Sequence, residues 1–264
     1  MDNLLTALLL SIVEGLTEFL PVSSSGHLIL TGNLLNFTGP RAATFEVVIQ
    51  FGAILSVVVL YWKRFIGLLK PQPGVQFSGL RGILLLLLTS LPAGLLGLLL
   101  HSQIKQYLFR PVTVLIALLV GAVCMIIVER RKYKIAYTNL DEVTPRLALA
   151  IGCFQCLALW PGFSRSAATI MGSILMGAGR TLAAEYSFIA AVPIMTAATG
   201  YDLLKNLELF TAADIPFFLM GLAGAFVSAL LAVKIFVALL GRTGLVPFAV
   251  YRLLLAPFVY YFMV

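Results

Sequence analysis

The stretch "EGLTEFLPVSSSGH", residues 14–27, sets two glutamates, three consecutive serines and one of the chain's two histidines among leucines and valines. Proline inside an apolar run removes a helical hydrogen bond and stops the preceding helix, and serine is a favoured cap for the next one. Residues 2–35 therefore read as two half-helices meeting at Pro21 and the serine cluster, and not as one continuous span. "GCFQCLALWPGFSRSAATI", residues 152–170, is interrupted in the same way by Pro161 and Gly162, which makes 147–177 a second broken stretch.

The medium around these breaks is lipid. Of the 264 residues, 61% are hydrophobic and 11% charged, with a mean hydropathy of +1.03, whereas a soluble domain carries roughly 25% charged residues. Six uninterrupted apolar runs, at about 43–62, 80–101, 110–129, 181–201, 214–240 and 245–263, have the length of a bilayer span. The first twenty residues lack a basic start and a small-residue cleavage site and carry Glu14 and Glu18, so they read as mature sequence. The net charge of +7 reads as a device for orientation in the membrane, with no nucleic-acid partner. Cys153 and Cys156 form a C-x-x-C with no second pair and apolar flanks, and are expected to pack rather than bind metal.

The two breaks resemble each other. Glu46 follows Pro21 at nearly the interval at which Glu185 follows Pro161, and three spans follow each break. The fold expected is an all-α polytopic membrane protein, with six transmembrane helices plus two re-entrant helix-turn-helix loops in an inverted-topology repeat. It forms one membrane domain: repeat one at about 1–129, a polar linker at about 130–146 and repeat two at about 147–264. Lys63, Arg64, Lys70, Arg81, Arg130, Arg131, Lys132, Lys134, Arg146, Arg180 and Arg242 then fall on one face, and Arg41, Lys105, Arg110 and Lys205 on the other. The richer face is expected to be cytoplasmic, with both termini outside.

Glu14 and Glu18 share one helix face, and ionised carboxylates inside a membrane face a polar cavity. Ser23, Ser24, Ser25 and Gly26 open the second half-helix, whose free N–H groups and dipole favour an anion. His27 lies in its first turn. The other break supplies Ser164, Arg165 and Ser166 at a helix start, with Thr169 one turn on, and the planar fork of Arg165 suits phosphate oxygens. Two helix starts, an arginine and several hydroxyls describe a phosphate cradle. The carboxylates would repel its ligand unless a divalent cation bridges them to phosphate or they are protonated, and both readings stay open. In phosphoryl transfer, Ser24 or water would attack, Arg165 with metal would neutralise charge, and His27 would carry the proton. Each feature also has an ordinary reading: serines cap helices, a lone histidine is structural, and Glu46 and Gln50 either support the site or pack helix to helix. His101 reads as interfacial, and Trp62, Tyr260 and Tyr261 as interface anchors.

"EGLTEFLPVSSSGH", "TFEVVIQFGAIL", "GCFQCLALWPGFSRS" and "IPF…YR" resemble the bacterial undecaprenyl-diphosphate phosphatases, also called bacitracin-resistance proteins. Ser25 stands where threonine is also common in that family. The resemblance implies an inner-membrane enzyme that converts a polyprenyl diphosphate to its monophosphate and inorganic phosphate, recycling the lipid carrier of cell-wall synthesis. It implies a divalent cation, Mg²⁺ or Ca²⁺, a site open to the outer, periplasmic face, and a homodimer as seen for some members. It points to Glu14 and Glu18 for metal and to Glu18, Ser24, His27 and Arg165 for catalysis. It matches Ser164 and Thr169 to phosphate contacts in the second motif, and the helix-start reading adds Ser23, Ser25, Gly26 and Ser166 as expected substrate contacts. The rival from another class is a secondary transporter or lipid flippase, since inverted repeats with broken helices also build carriers. A carrier needs the cradle but no proton-transfer group.

Overall fold

The computed structural model describes residues 4–108, 110–205 and 214–263, without the side chains of His101, Lys105 and Met263. The interfacial reading of His101 and the outer-face placement of Lys105 therefore lie outside the described residues. Helices make up most of this range, and among the described residues there is no strand beyond an isolated Tyr137–Ala178 bridge. In order come α1 (Leu4–Thr17), α2 (Ser24–Leu34), α3 (Pro40–Leu60), α4 (Trp62–Leu69), α5 (Gly79–Leu99) and the short turn α6 (His101–Gln103), continued by a π-turn. Then follow α7 (Pro111–Arg130), α8 (Pro145–Gln155), α9 (Arg165–Leu175), α10 (Arg180–Lys205), α11 (Ile215–Thr243) and α12 (Val246–Met263).

Five of these, α3, α5, α7, α10 and α11, are long and apolar enough to cross a membrane. The sixth expected span, α12, is a slightly shorter apolar helix. The outward faces are those of a membrane protein. On α5, Leu84, Leu87, Leu91, Leu95 and Leu98 are all exposed, and their spacing puts them on one helix face. In water such a stripe would be an aggregation surface; in lipid it costs nothing.

The broken helices pack crosswise. α1 lies along α11, and α8 lies along α5, so each broken pair leans on a span from the other half of the chain. The contacts match in detail. Gly15 of α1 sits so close to α11 that an added Cβ would stand 2.6 Å from the Ala225 carbonyl oxygen. Gly152 of α8 is in the same situation, with an added Cβ 2.7 Å from the Thr89 carbonyl oxygen on α5. Beside each glycine a hydroxyl crosses the seam: Ser228 reaches the Ser11 carbonyl at 3.2 Å, and Thr89 reaches the Ala148 carbonyl at 3.0 Å. Small residues let helices approach closely, and the hydroxyls are satisfied without water. Gly15→Val and Gly152→Val should therefore each cost about 1–3 kcal/mol by overpacking. Gly94→Ala, where nothing lies within 4 Å of the new methyl, should be neutral or stabilise by up to about 1 kcal/mol. Thermal unfolding of the three variants in one detergent distinguishes these outcomes.

The halves differ in depth. Every residue of α9 from Ser166 to Ile174 is buried, whereas α2 buries Gly26, His27, Leu28 and Gly32 only. A cavity of about 200 Å³ separates α2 from α3, with Glu46 on its wall. The linker is docked, not loose. Asp141 accepts from the Phe77 N–H at 2.7 Å and pairs with Arg64 at 3.2 Å, while Ala136 and Gly179 exchange backbone bonds with the α9–α10 turn and Tyr137. Cys153 is exposed and Cys156 half-buried, both as free thiols.

Candidate active site

Both breaks end in the same backbone device. α1 stops after Thr17, the chain turns through Pro21, and Ser23 caps α2 with φ 71°. α8 passes into a 3₁₀ turn, the chain turns through Pro161 and Gly162, and Ser164 caps α9 with φ 79°. Among the described residues Asn36 is the one other non-glycine with positive φ. A left-handed serine costs about 1–2 kcal/mol, so each turn must be held by its surroundings. Part of that hold is the cap itself: Ser23 Oγ accepts from Gly26 N–H at 3.3 Å, and Ser164 Oγ from Ala167 N–H at 3.2 Å. A cross-tie links the breaks, with Ser166 Oγ donating to the Leu20 carbonyl at 2.8 Å.

The two caps bring Ser24 and Arg165, the first helical residues, to one carboxylate. Ser24 Oγ donates to Glu18 Oε2 at 2.6 Å, and Arg165 Nη2 donates to Glu18 Oε1 at 3.1 Å. Around this trio lies a polar cavity of about 250 Å³, lined by Glu18, Ser23, Ser24, Ser25, Gln50, Ala158, Pro161, Gly162, Ser164, Arg165 and Met195. Arg165 is fixed from behind by the Ser187 carbonyl at 3.2 Å and lies over the Phe19 ring at 5.7 Å, yet its buried Nε–H has no partner. A buried guanidinium N–H left unpaired is a donor awaiting an acceptor. The starts of two helices, an oriented arginine and three serine hydroxyls can receive a multiply charged anion, while Glu18 can accept the Ser24 proton.

Not every expected residue reaches this cavity. Glu14 is fully buried one turn behind Glu18, with both carboxylate oxygens unpartnered and off the cavity wall. Ser166 and Thr169 are sealed inside. The first is spent on the tie to Leu20, and the second bonds Ser187 Oγ at 2.6 Å, so neither lines the place of a phosphate. Gly26 contributes its N–H to the Ser23 cap and is likewise off the wall. His27, expected as the proton carrier, turns away: Nδ1 lies 2.7 Å from the Ser23 carbonyl and Nε2 2.7 Å from Tyr251 Oη. The reason is the cap. A left-handed Ser23 aims its carbonyl along α2, and the ring one turn on closes onto it.

A divalent cation fits in a limited sense. Mg²⁺ takes one or two carboxylates and completes its shell with water and substrate oxygens. The orphaned Glu14 oxygens and the adjacent Glu18 carboxylate are a donor set of that kind. Among the described residues no cluster of three acidic, histidine or cysteine ligands forms a cage from protein alone.

Three residues outside the expected set matter. Gln50 lines the polar cavity and also a larger apolar one of about 700 Å³ between α3, α5 and α10, so it marks their junction. Its place on the Glu46 face of α3 was the available signal, and Glu46 itself faces the separate cavity beside α2. Tyr251 and Arg252 lie on α12. Arg252 is wholly buried and donates to the carbonyls of Ala117, Leu118, Gly162 and Phe163 at 2.8–3.1 Å. Only the "YR" pair in an apolar helix hinted at it.

Comparison with known proteins agrees in placing the chain. The sequence model of the family described as bacitracin resistance protein BacA matches residues 7–258. A protein named undecaprenyl-diphosphatase from Desulfovibrio desulfuricans is 78% identical over 264 residues, covering 100% of both chains. Proteins of the same name from Nitratidesulfovibrio vulgaris (strain DP4) and Lawsonia intracellularis are 70% and 56% identical over 263 and 262 residues, covering 100% and 98% of this chain and 99% and 98% of theirs.

Proposed function

The chain belongs to the family of the bacitracin resistance protein BacA, and from that premise we propose how it hydrolyses undecaprenyl diphosphate to the monophosphate and inorganic phosphate at the cavity between its two breaks. The activity recycles the lipid carrier of cell-wall synthesis and underlies bacitracin resistance. The observation that carries the site is Glu18, held between Ser24 and Arg165 where two helix starts face one space.

The diphosphate sits over the α2 and α9 starts, with Ser23, Ser25 and Ser164 as hydroxyl contacts and the Arg165 Nε–H as a further donor. Two nucleophiles fit. Ser24 Oγ, or a water in its place, attacks the terminal phosphorus and passes its proton to Glu18. The bond to the bridging oxygen breaks and the lipid monophosphate leaves. With serine as nucleophile, water then releases the phosphate from Ser24. Glu14 and Glu18 would hold a divalent cation, Mg²⁺ or Ca²⁺, which when bound offsets the charge of the diphosphate. The apolar cavity that meets the site at Gln50, walled by Val47, Gly94, Gly97, Leu98, Ile194, Ala197 and Ala198, supports a lipid substrate by giving its first isoprene units a path.

The matched caps, the paired glycine seams and the crosswise packing of α1 on α11 and α8 on α5 support two re-entrant loops in an inverted repeat, joined by the linker at about 130–146. With both termini outside, the apolar cavity, bounded by the end of α3 near Val47 and the end of α10 near Lys205, opens toward the outer face of the inner membrane. A carrier would use the same repeat, but it has no need of a serine hydroxyl bonded to a carboxylate.

The test is phosphate release from undecaprenyl diphosphate by protein purified in detergent. Release is expected with Mg²⁺ or Ca²⁺ and is lost with chelator. Glu18→Gln should lower it by about a hundredfold or more. Near-normal turnover by Ser24→Ala would select water as the nucleophile. Lipid binding without release, from folded protein supplied with metal, would sink the phosphatase reading.

A further inference from the structure

We infer that Tyr251 and His27 form a brace that holds the Ser23 turn and so sets the position of Ser24, with His27 a positioning residue rather than the site's proton carrier. The inference rests on the phosphatase reading for its kinetic consequences, though not for its geometry.

Both ring nitrogens of His27 are committed. The Ser23 carbonyl can only accept, so Nδ1, 2.7 Å away, carries the hydrogen. Nε2 of the neutral ring is then an acceptor, and Tyr251 Oη donates to it at 2.7 Å. The two ring planes are nearly parallel, 2° apart in tilt with centroids 5.6 Å apart. A general base needs a lone pair facing the reacting group. His27 has none left, it is off the cavity wall, and Ser24 Oγ already has an acceptor in Glu18.

What the brace does follows from its first contact. Ser23 is held at φ 71°, a conformation that serine avoids, and the His27 N–H donated to its own carbonyl is one bond that keeps it there. The hold is anchored on α12 by consecutive residues. Tyr251 supports the Ser23 turn through His27, while Arg252 binds the Gly162 and Phe163 carbonyls of the other turn. One helix thereby sets both caps, and with them the spacing between Ser24 and Arg165.

The two roles predict different variant series. Asparagine at position 27 keeps a donor near Nδ1 and removes any base; alanine removes both. If His27 positions, His27→Asn keeps kcat within about tenfold of wild type, while His27→Ala loses about a hundredfold, the difference being the retained hydrogen bond and the turn it holds. Tyr251→Phe should lower kcat by about three- to tenfold with KM little changed. Equal losses in His27→Asn and His27→Ala, with Tyr251→Phe at or above wild type, would overturn the proposal. A spectroscopic reading is independent of activity. The chain has two histidines, so ¹⁵N-histidine labelling with His101→Gln leaves one imidazole to observe. A neutral ring with its hydrogen on Nδ1, and an Nε2 signal that moves in Tyr251→Phe, is expected; a hydrogen on Nε2 would overturn the brace. Wild-type protein that releases no phosphate would remove the phosphatase reading, and the labelled spectrum would still decide the brace.

Discussion

Arg165→Ala is expected to lower kcat/KM for undecaprenyl diphosphate by about a thousandfold, the scale for removing a preorganised charged donor from a water-poor site. The guanidinium has three duties at once. Nη1 is anchored on the Ser187 carbonyl, Nη2 holds Glu18, and Nε is left unpaired. Phe19 beneath the plane fixes its orientation at 5.7 Å. Truncation removes the donor and also leaves Glu18 without its cation, so ground-state binding and turnover should both fall. Arg165→Lys separates charge from geometry. A lysine ammonium keeps the charge, but its three N–H groups radiate from one nitrogen and cannot span the separate positions that Nη1, Nη2 and Nε occupy, and about a hundredfold loss should persist. Steady-state kinetics on both variants, with folding checked by thermal unfolding, measures this. Arg165→Lys within a few-fold of wild type would show that only charge is used, and the oriented-fork account would fail.

Arg252→Met is expected to cost about 3–5 kcal/mol of stability, as breaking other buried charged hydrogen-bond sets does. Four carbonyls, on α7 and on the Pro161–Phe163 turn, have this one side chain as a common partner. In a membrane interior no water replaces it. Gly121 makes the space: a Cβ there would stand 2.9 Å from the guanidinium carbon, so Gly121→Ala should weaken the same locus from the opposite side. Unfolding temperature in detergent, with protease sensitivity of the α8–α9 turn, reads both. If Arg252→Met unfolds at the wild-type temperature, the turn is held by something other than this arginine.

Much of this was legible in the sequence because it depends on local chemistry. Prolines within apolar runs mark where helices stop, serines mark where they restart, and the length and apolarity of the runs mark lipid as the solvent. The five long apolar helices agree with expected spans to within a few residues, and Pro40, Pro111 and Pro216 stand near the starts of three of them. Glu18, Ser24 and Arg165 were visible because polar groups in an apolar run need partners, and two matched breaks offered each other.

Tertiary structure decided which of the flagged groups face the cavity. Glu14, Ser166, Thr169 and His27 share the motifs of the residues that line it, yet packing seals the first three inside and turns the last toward α12. A motif records spacing along one helix; the direction in which a side chain is satisfied depends on the φ of its cap and on what a remote helix brings. Tyr251 lies 224 positions from His27 and Arg252 lies 90 from Gly162, and no local pattern encodes a contact at that range. The sequence by itself determined that polar chemistry sits at two broken helices in a membrane. The close approach of helices at Gly15 and Gly152, and the contacts of α12 with both turns, decided which atoms face the cavity, because only packing of distant segments can choose among side chains that local chemistry treats alike.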